Sequence, residues 1–318
     1  MKRAFTMVEI IVVIVIMGIL SAGTLVSIKH LYTRAAKSGK INAFSVTSDV
    51  ALNQISSMLY DRVPSTVIGY NSTTGNFESI YDIDTGFTIL EWIGYAKEAL
   101  NARQYSGFID MNGSDRGNIV LRSDTNSSDL NTTEYHKFGI SYNYANPNNA
   151  NVTALIFAGS FDSGASTSDF NSSFGWHGND HNLTYDITNM NDTIITLATR
   201  PNEIYAKYYL VDSAYAVARG ADINRTSTCI TDLNVSNNDI NDTLFLFYNY
   251  RPWRGETFCA DIDDNNGTRE GNVTILAQHV TAFRTGIIND SIYFDMTMSQ
   301  QIRGTENNVT VSKQKVVF

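Results

Sequence analysis

The run FTMVEIIVVIVIMGILSAGTLVSI, residues 5–28, decides how the rest of the chain is read. Its 24 residues hold one charge, Glu9, and no proline. At about 1.5 Å per residue they cross a hydrocarbon core of about 30 Å. Lys2 and Arg3 precede the run, and Lys29, His30 and Arg34 follow it. A secretory signal has a shorter apolar region with a small-residue cleavage site behind it, so this stretch reads as a membrane-spanning helix. Basic residues on both flanks give only a weak orientation. A carboxylate inside such a helix costs several kcal/mol, which makes Glu9 a functional candidate; the plain alternative is a residue hydrated at the bilayer edge.

Working outward, Ile41, Phe44, Ala51, Leu52, Ile55, Met58 and Leu59 recur at helical spacing with Lys40, Asp49, Gln54 and Asp61 between them. Pro64 ends that pattern and pushes Val63 towards extended geometry. The spacing predicts one long helix over 5–62, half anchor and half spine, loosened at Gly39. Of the 318 residues, the first 62 carry a net charge of +4 and the remainder −13, for −9 overall. An acidic body argues against nucleic acid as a partner, because phosphate neutralisation needs clustered Lys and Arg.

The amino terminus resembles the type IV pilin and type II secretion pseudopilin superfamily. The residues that carry the resemblance are the short basic leader Met1-Lys2-Arg3-Ala4, Phe5 behind it, Glu9 at the fifth position after the cut, and the unbroken apolar helix. The family pattern usually has Gly before the cut, where this chain has Ala4. The resemblance implies cleavage between Ala4 and Phe5 by a prepilin peptidase, N-methylation of Phe5, and an assembly role for Glu9. It also implies an assembly platform in the inner membrane, other pilin or pseudopilin subunits as partners, and a head in the periplasm that passes into a fibre. The Glu9 carboxylate of one subunit would pair with the new amino group of another in a low-dielectric bundle. The organisation expected is leader 1–4, membrane half 5–28, amphipathic half 29–63 and head 64–318.

Past residue 64 the patterning turns to β-type. Strands are expected at 118–123, 137–144, 152–159, 193–199 and 243–250. IYAKYYLV and AYAVARG read as a hairpin joined at Asp212-Ser213, and 273–288 and 291–300 as another around Asn289-Asp290, with VTVSKQKVVF closing the chain. GFTILEWIGYAKEALNAR, 86–103, reads as a short helix. The fold class is therefore α+β, a long helix followed by a mainly antiparallel sheet. Leu276, Val280, Phe283 and Arg284 resemble a segment of J-type minor pseudopilins and W-type minor pilins. With the large head, this implies a minor subunit near a fibre tip. K-type minor pseudopilins also have large heads but lack the Glu kept here at position 9.

Asparagine is in excess, 32 residues, and fifteen begin Asn-x-Ser/Thr where about six would by chance. In eleven an acid stands two residues earlier: Asn112, Asn126, Asn131, Asn171, Asn182, Asn224, Asn234, Asn241, Asn266, Asn272 and Asn308. That pattern resembles the extended acceptor of bacterial oligosaccharyltransferases, which implies such an enzyme as a partner and reachable loops at those sites. Drift towards Asp, Asn and Thr in surface turns produces the same strings.

Cys229 and Cys259, on either side of TLFLFYNY, are either bridged or two buried thiols. Two cysteines exclude a disulfide-framework miniprotein and a four-cysteine zinc site. His177, Asp180 and His181 have chelating residue types, but Gly178 and Asn179 make the segment a polar loop. Asp261, Asp263 and Asn265 resemble half of a calcium loop, with Asn266 where glycine is needed. No cofactor other than this calcium candidate is expected. No phosphate loop, nucleophile elbow or zinc-protease motif is present, so an enzyme is not expected. The alternative to fibre assembly is a membrane-anchored glycosylated adhesin, which needs neither Phe5 at a cut site nor Glu9.

Overall fold

The computed structural model describes residues 6–318 apart from 83–86, 102, 104, 121–134, 138–139, 143–152, 161–169, 191–193, 224–227, 232, 234, 237–238, 260–270, 290 and 303–307. Helix α1, Met7–Leu59, runs unbroken for 53 residues, about 80 Å. The loosening expected at Gly39 does not occur. A side chain there would meet nothing within 4 Å, so the glycine serves no close approach and the ladder continues through it. The helix stops where Arg62 Nη1 donates to Leu59 O at 2.7 Å, and Val63 before Pro64 is extended as expected.

The two halves of α1 differ. From Phe44 onward, Phe44, Ser48, Ala51, Leu52, Ile55, Ser56 and Leu59 are buried, at separations that keep them on one face. Ile41, expected on that face, is 41% exposed because the head begins one turn later.

The larger sheet has ten strands. They are β1 Ile68–Asn71, β2 Asn76–Ser79, β3 Ile89–Tyr95, β4 Asn118–Val120, β7 Ala154–Phe157, β8 Tyr185–Met190, β9 Ile194–Leu197, β10 Tyr208–Arg219, β11 Thr243–Tyr250 and β12 Asn272–Gln278. A separate ribbon pairs β5, Tyr135–Lys137, with β6, Ile140–Tyr142. The main order is β2-β1-β3-β10-β7-β8-β9-β4, with β11 on β10 and β12 on β11. Strand β10 organises it: β3 lies along one edge, while β7 and then β11 share the other.

The centre of this sheet is buried on both faces, which is why its strands read as continuous apolar runs. Leu90, Trp92, Tyr215, Val217, Leu244 and Leu246 face α1. Ile89, Ile93, Ala214, Ala216, Phe245 and Phe247 face a cover that includes Phe174, Trp176, Trp253 and Phe258. Within that cover Gly175, at φ +81°, lets two loops touch; a Cβ there would lie 2.6 Å from Pro252 O.

A second, three-stranded antiparallel sheet comprises β13 Val280–Ile288, β14 Ser291–Gln301 and β15 Asn308–Val317. The head half of α1 packs on it and on the larger sheet, in a core shared by Leu52, Ile55, Phe283, Phe294, Met296 and Met298. The α+β architecture expected from the sequence is the one observed.

Four local expectations need correction. Residues 208–219 form one strand, not a hairpin at Asp212-Ser213. The register against β3 shifts between Val211 and Ser213, and Ser213 Oγ accepts from Asn249 N at 2.9 Å, so the polar pair is housed in a bulge rather than a turn. In 86–103 the helix is confined to α2, Lys97–Asn101; Ile89–Tyr95 is a strand whose two-sided burial overrides its helix-like composition. The run 273–288 is split by His279 at φ +64°, which sends β12 and β13 to different sheets. In 137–144, Lys137 ends β5 and Ile140–Tyr142 forms β6.

Candidate functional site

The amino-terminal half of α1 lies almost wholly outside the head, with only Ala36 and Lys40 reaching it among the described residues. Between Met7 and Ala43 nearly every side chain is exposed, including Ile10, Ile14, Met17, Leu20 and Leu25. Apolar groups at this density demand lipid or other helices. Among the described residues this is the one helix long and apolar enough to cross a membrane.

At its start Thr6 caps the helix: its Oγ1 accepts from Glu9 N at 3.4 Å. Glu9 Oε2 reaches back to accept from Thr6 N and from Thr6 Oγ1, each at 3.0 Å. The acid at this position of the first turn completes a capping box, satisfying two backbone donors that the helix leaves open. A carboxylate in an apolar helix thus has partners before any neighbouring chain arrives. Ala4 and Phe5 lie outside the described residues.

The head holds α1 through polar contacts from β14 and β15 as well as through the core. Lys313 Nζ donates to Ser45 O at 3.1 Å and pairs with Asp49; Lys315 donates to Asn53 Oδ1; Lys40 Nζ donates to Gln300 Oε1 at 2.7 Å. Lysines alternating on the strand meet acceptors spaced one turn apart on the helix, which fixes the helix azimuth and so which face stays open.

Residues 1–25 match the family described as the prokaryotic N-terminal methylation motif. The chain carries a prepilin-type amino terminus. No curated protein and no solved structure matches it. The matched family is structural rather than enzymatic, and a prepilin-type terminus implies association with other pilin subunits and with prepilin peptidase. The matched stretch therefore takes in the capped Glu9 and the first 19 residues of α1, all of them exposed.

The structure separates the remaining candidates. Cys229 and Cys259 form a disulfide with Cα atoms 5.6 Å apart, tying the cover to its neighbouring loop. Asn112, Asn182, Asn272 and Asn308 are exposed, the last two opening β12 and β15. Asn171 and Asn241 are half-buried, and each has a buried Oδ1 without a hydrogen-bond partner among the described residues. Asn126, Asn131, Asn224, Asn234 and Asn266 lie outside the described residues, as do Asp261, Asp263 and Asn265. At Asn112 the preceding acid has a local use: Asp110 Oδ1 accepts from Asn112 N at 2.9 Å, an Asx turn.

His177 and His181 do not converge. His181 is exposed, whereas the imidazole of His177, at φ +51°, is buried with Nε2 2.9 Å from Glu91 Oε1. Tyr250 OH donates to Glu91 Oε2 at 2.7 Å, and Tyr70 stacks on the imidazole at 3.8 Å. This buried cluster pins the cover to the sheet. Its one sequence signal was an acid inside the apolar run around Glu91. Among the described residues no group of three or more His, Cys, Asp or Glu is placed to hold a metal ion.

Proposed function

We propose that this chain is a minor pilin or pseudopilin, cut between Ala4 and Phe5, N-methylated on Phe5 and assembled through α1 into a fibre of a type IV pilus or a type II secretion pseudopilus. The observation that carries the reading is the contrast along one continuous helix. Phe44–Leu59 is consumed by the head, while the apolar run before it, Met7–Ile28, is exposed throughout. The helix serves first in the inner membrane, with the head on the periplasmic side, and then among neighbouring helices in the fibre. Glu9, held by Thr6 until then, pairs with the amino terminus of another subunit and sets the register. The large head suits a subunit near the tip, where no further head must pack above it.

The acid-preceded sequons support N-glycosylation of the head by a periplasmic oligosaccharyltransferase. Among the described sites, exposure favours Asn112, Asn182, Asn272 and Asn308 over Asn171 and Asn241.

The test is mass spectrometry of the amino-terminal peptide from protein isolated from native membranes. A peptide beginning at N-methylated Phe5 supports fibre assembly; one beginning at Met1 overturns it and leaves a membrane-tethered surface protein.

A further inference from the structure

Where α1 ends, the head opens a cleft of about 410 Å³. Its walls are the rings of Tyr60, Tyr95, Tyr105, Phe108 and Tyr209. Tyr60 lies 32 residues beyond the last residue of the apolar run, about 48 Å along the continuous helix, so the cleft is at the end of the head far from the membrane half. Clefts of this size, aromatic with a few polar groups, are the common form of small-ligand sites.

Two side chains of the lining, Arg62 and Lys207, are cationic. Lys207, exposed, holds its ammonium 5.2 Å from the centre of the Tyr209 ring. Arg62, also on the lining, donates through Nη1 to Leu59 O at 2.7 Å. A guanidinium and an ammonium on the lining of one cleft favour an anionic group between them. Asp61, also nearby, is paired with Lys97 at 2.7 Å.

The walls distinguish between ligand classes. An extended peptide needs open backbone donors and acceptors, and those on the floor are taken: Tyr208 and Tyr209 are in register with Phe157 and Ile156, and Tyr208 N donates to Gly107 O at 2.8 Å. A sugar ring needs none of these. Its C–H face lies on aromatic rings, and its hydroxyl rim suits tyrosines, which carry a polar edge on an apolar body. Exposed rings such as Tyr60 and Phe108, 59% and 46% exposed, offer such faces without rearrangement.

We infer that this cleft is a binding site for an acidic saccharide, whose rings stack on Tyr60 and Phe108 and whose carboxylate is held by Arg62 and Lys207. The inference rests on the head alone and is independent of whether α1 enters a fibre.

The test is calorimetric titration of the full-length protein in detergent micelles with trigalacturonic acid and with neutral galactotriose. The acidic probe is expected to bind saturably and about tenfold more tightly at low salt, the difference shrinking at about 1 M salt. Tyr60→Ala and Phe108→Ala are each expected to weaken binding of both probes about tenfold with an unchanged melting temperature. Lys207→Gln is expected to remove the preference for the acid while keeping neutral binding. Absence of saturable binding by either probe, or binding indifferent to all three substitutions, overturns the proposal. Self-association lost in Tyr60→Ala without saccharide binding also overturns it and makes the cleft a protein interface.

Discussion

Glu9 is bonded to Thr6 twice, through the backbone N–H and the hydroxyl, while Thr6 caps Glu9 in return. Thr6 directly follows Phe5 in the chain, so the carboxylate is already held beside the position where cleavage would create a new amino group. In the proposed fibre, pairing would exchange local bonds for a charge pair with another chain rather than recruit an idle carboxylate. Glu9→Gln keeps the shape and removes the charge. It is expected to leave the cut after Ala4 unaffected, read by amino-terminal peptide mass spectrometry, and to lower the protein in sheared fibres at least about tenfold. Wild-type amounts in the sheared fraction would sink the register role.

Leu52 and Ile55 are fully buried between α1 and both sheets. Leu52→Ala and Ile55→Ala are each expected to cost about 2–5 kcal/mol of head stability, because the two sheets cannot collapse onto the space left. Denaturant unfolding of the detergent-solubilised chain measures this. A loss below 1 kcal/mol would mean the helix is not part of the head core.

The Cys229–Cys259 bond closes a loop of 30 residues. Replacing both cysteines by Ser is expected to destabilise the head by about 3–4 kcal/mol in the chain-entropy view. Reductant should reproduce that change in the parent and leave the double variant unmoved.

Asp222 and Asp115 oppose each other in pH dependence. Burial pushes the Asp222 carboxyl up, partly offset by Arg219 beside it. Its folded form thus holds the proton more tightly, and its contribution falls as pH rises through and above the ordinary carboxylate range. Asp222→Asn should gain on the parent in melting temperature between about pH 4 and pH 7. The amides of Gly117 and Asn118 hold the Asp115 carboxyl low, so its contribution is present above the ordinary range and lost as pH falls through it. Asp115→Ala should lose stability at pH 7 and match the parent near about pH 2. A difference independent of pH for either variant contradicts the assignment.

Removing the Tyr250 hydroxyl leaves one oxygen of buried Glu91 without its donor. Tyr250→Phe is expected to cost about 1–3 kcal/mol although the ring is kept. Thermal unfolding at neutral pH reads it, and an unchanged melting temperature would show that solvent replaces the hydroxyl.

Legibility in the sequence followed the range of the interactions. The span of α1 and its stop before Pro64 were readable because helical spacing, one membrane thickness and the X-Pro restriction act locally. The Asn289 turn was readable because the residue tolerates φ +49°. β3 and β10 were misread because burial on both faces erases the period of two, and a helix and a buried strand then look alike. Asp212-Ser213 looked like a turn because nothing local announces that Asn249, far along the chain, supplies the hydrogen bond. The Glu91–His177–Tyr250 cluster and the aromatic cleft draw on segments up to 159 residues or more apart, beyond any local window.

By itself the sequence determined the long apolar helix, the prepilin-type terminus, the position of Glu9 and an antiparallel head, since each rests on residue chemistry within a few turns of chain. Only the tertiary structure decided where α1 leaves the head, which sequons are exposed and which rings meet at its far end. Those outcomes depend on the sheets closing around one helix face, and packing between distant strands sets that geometry.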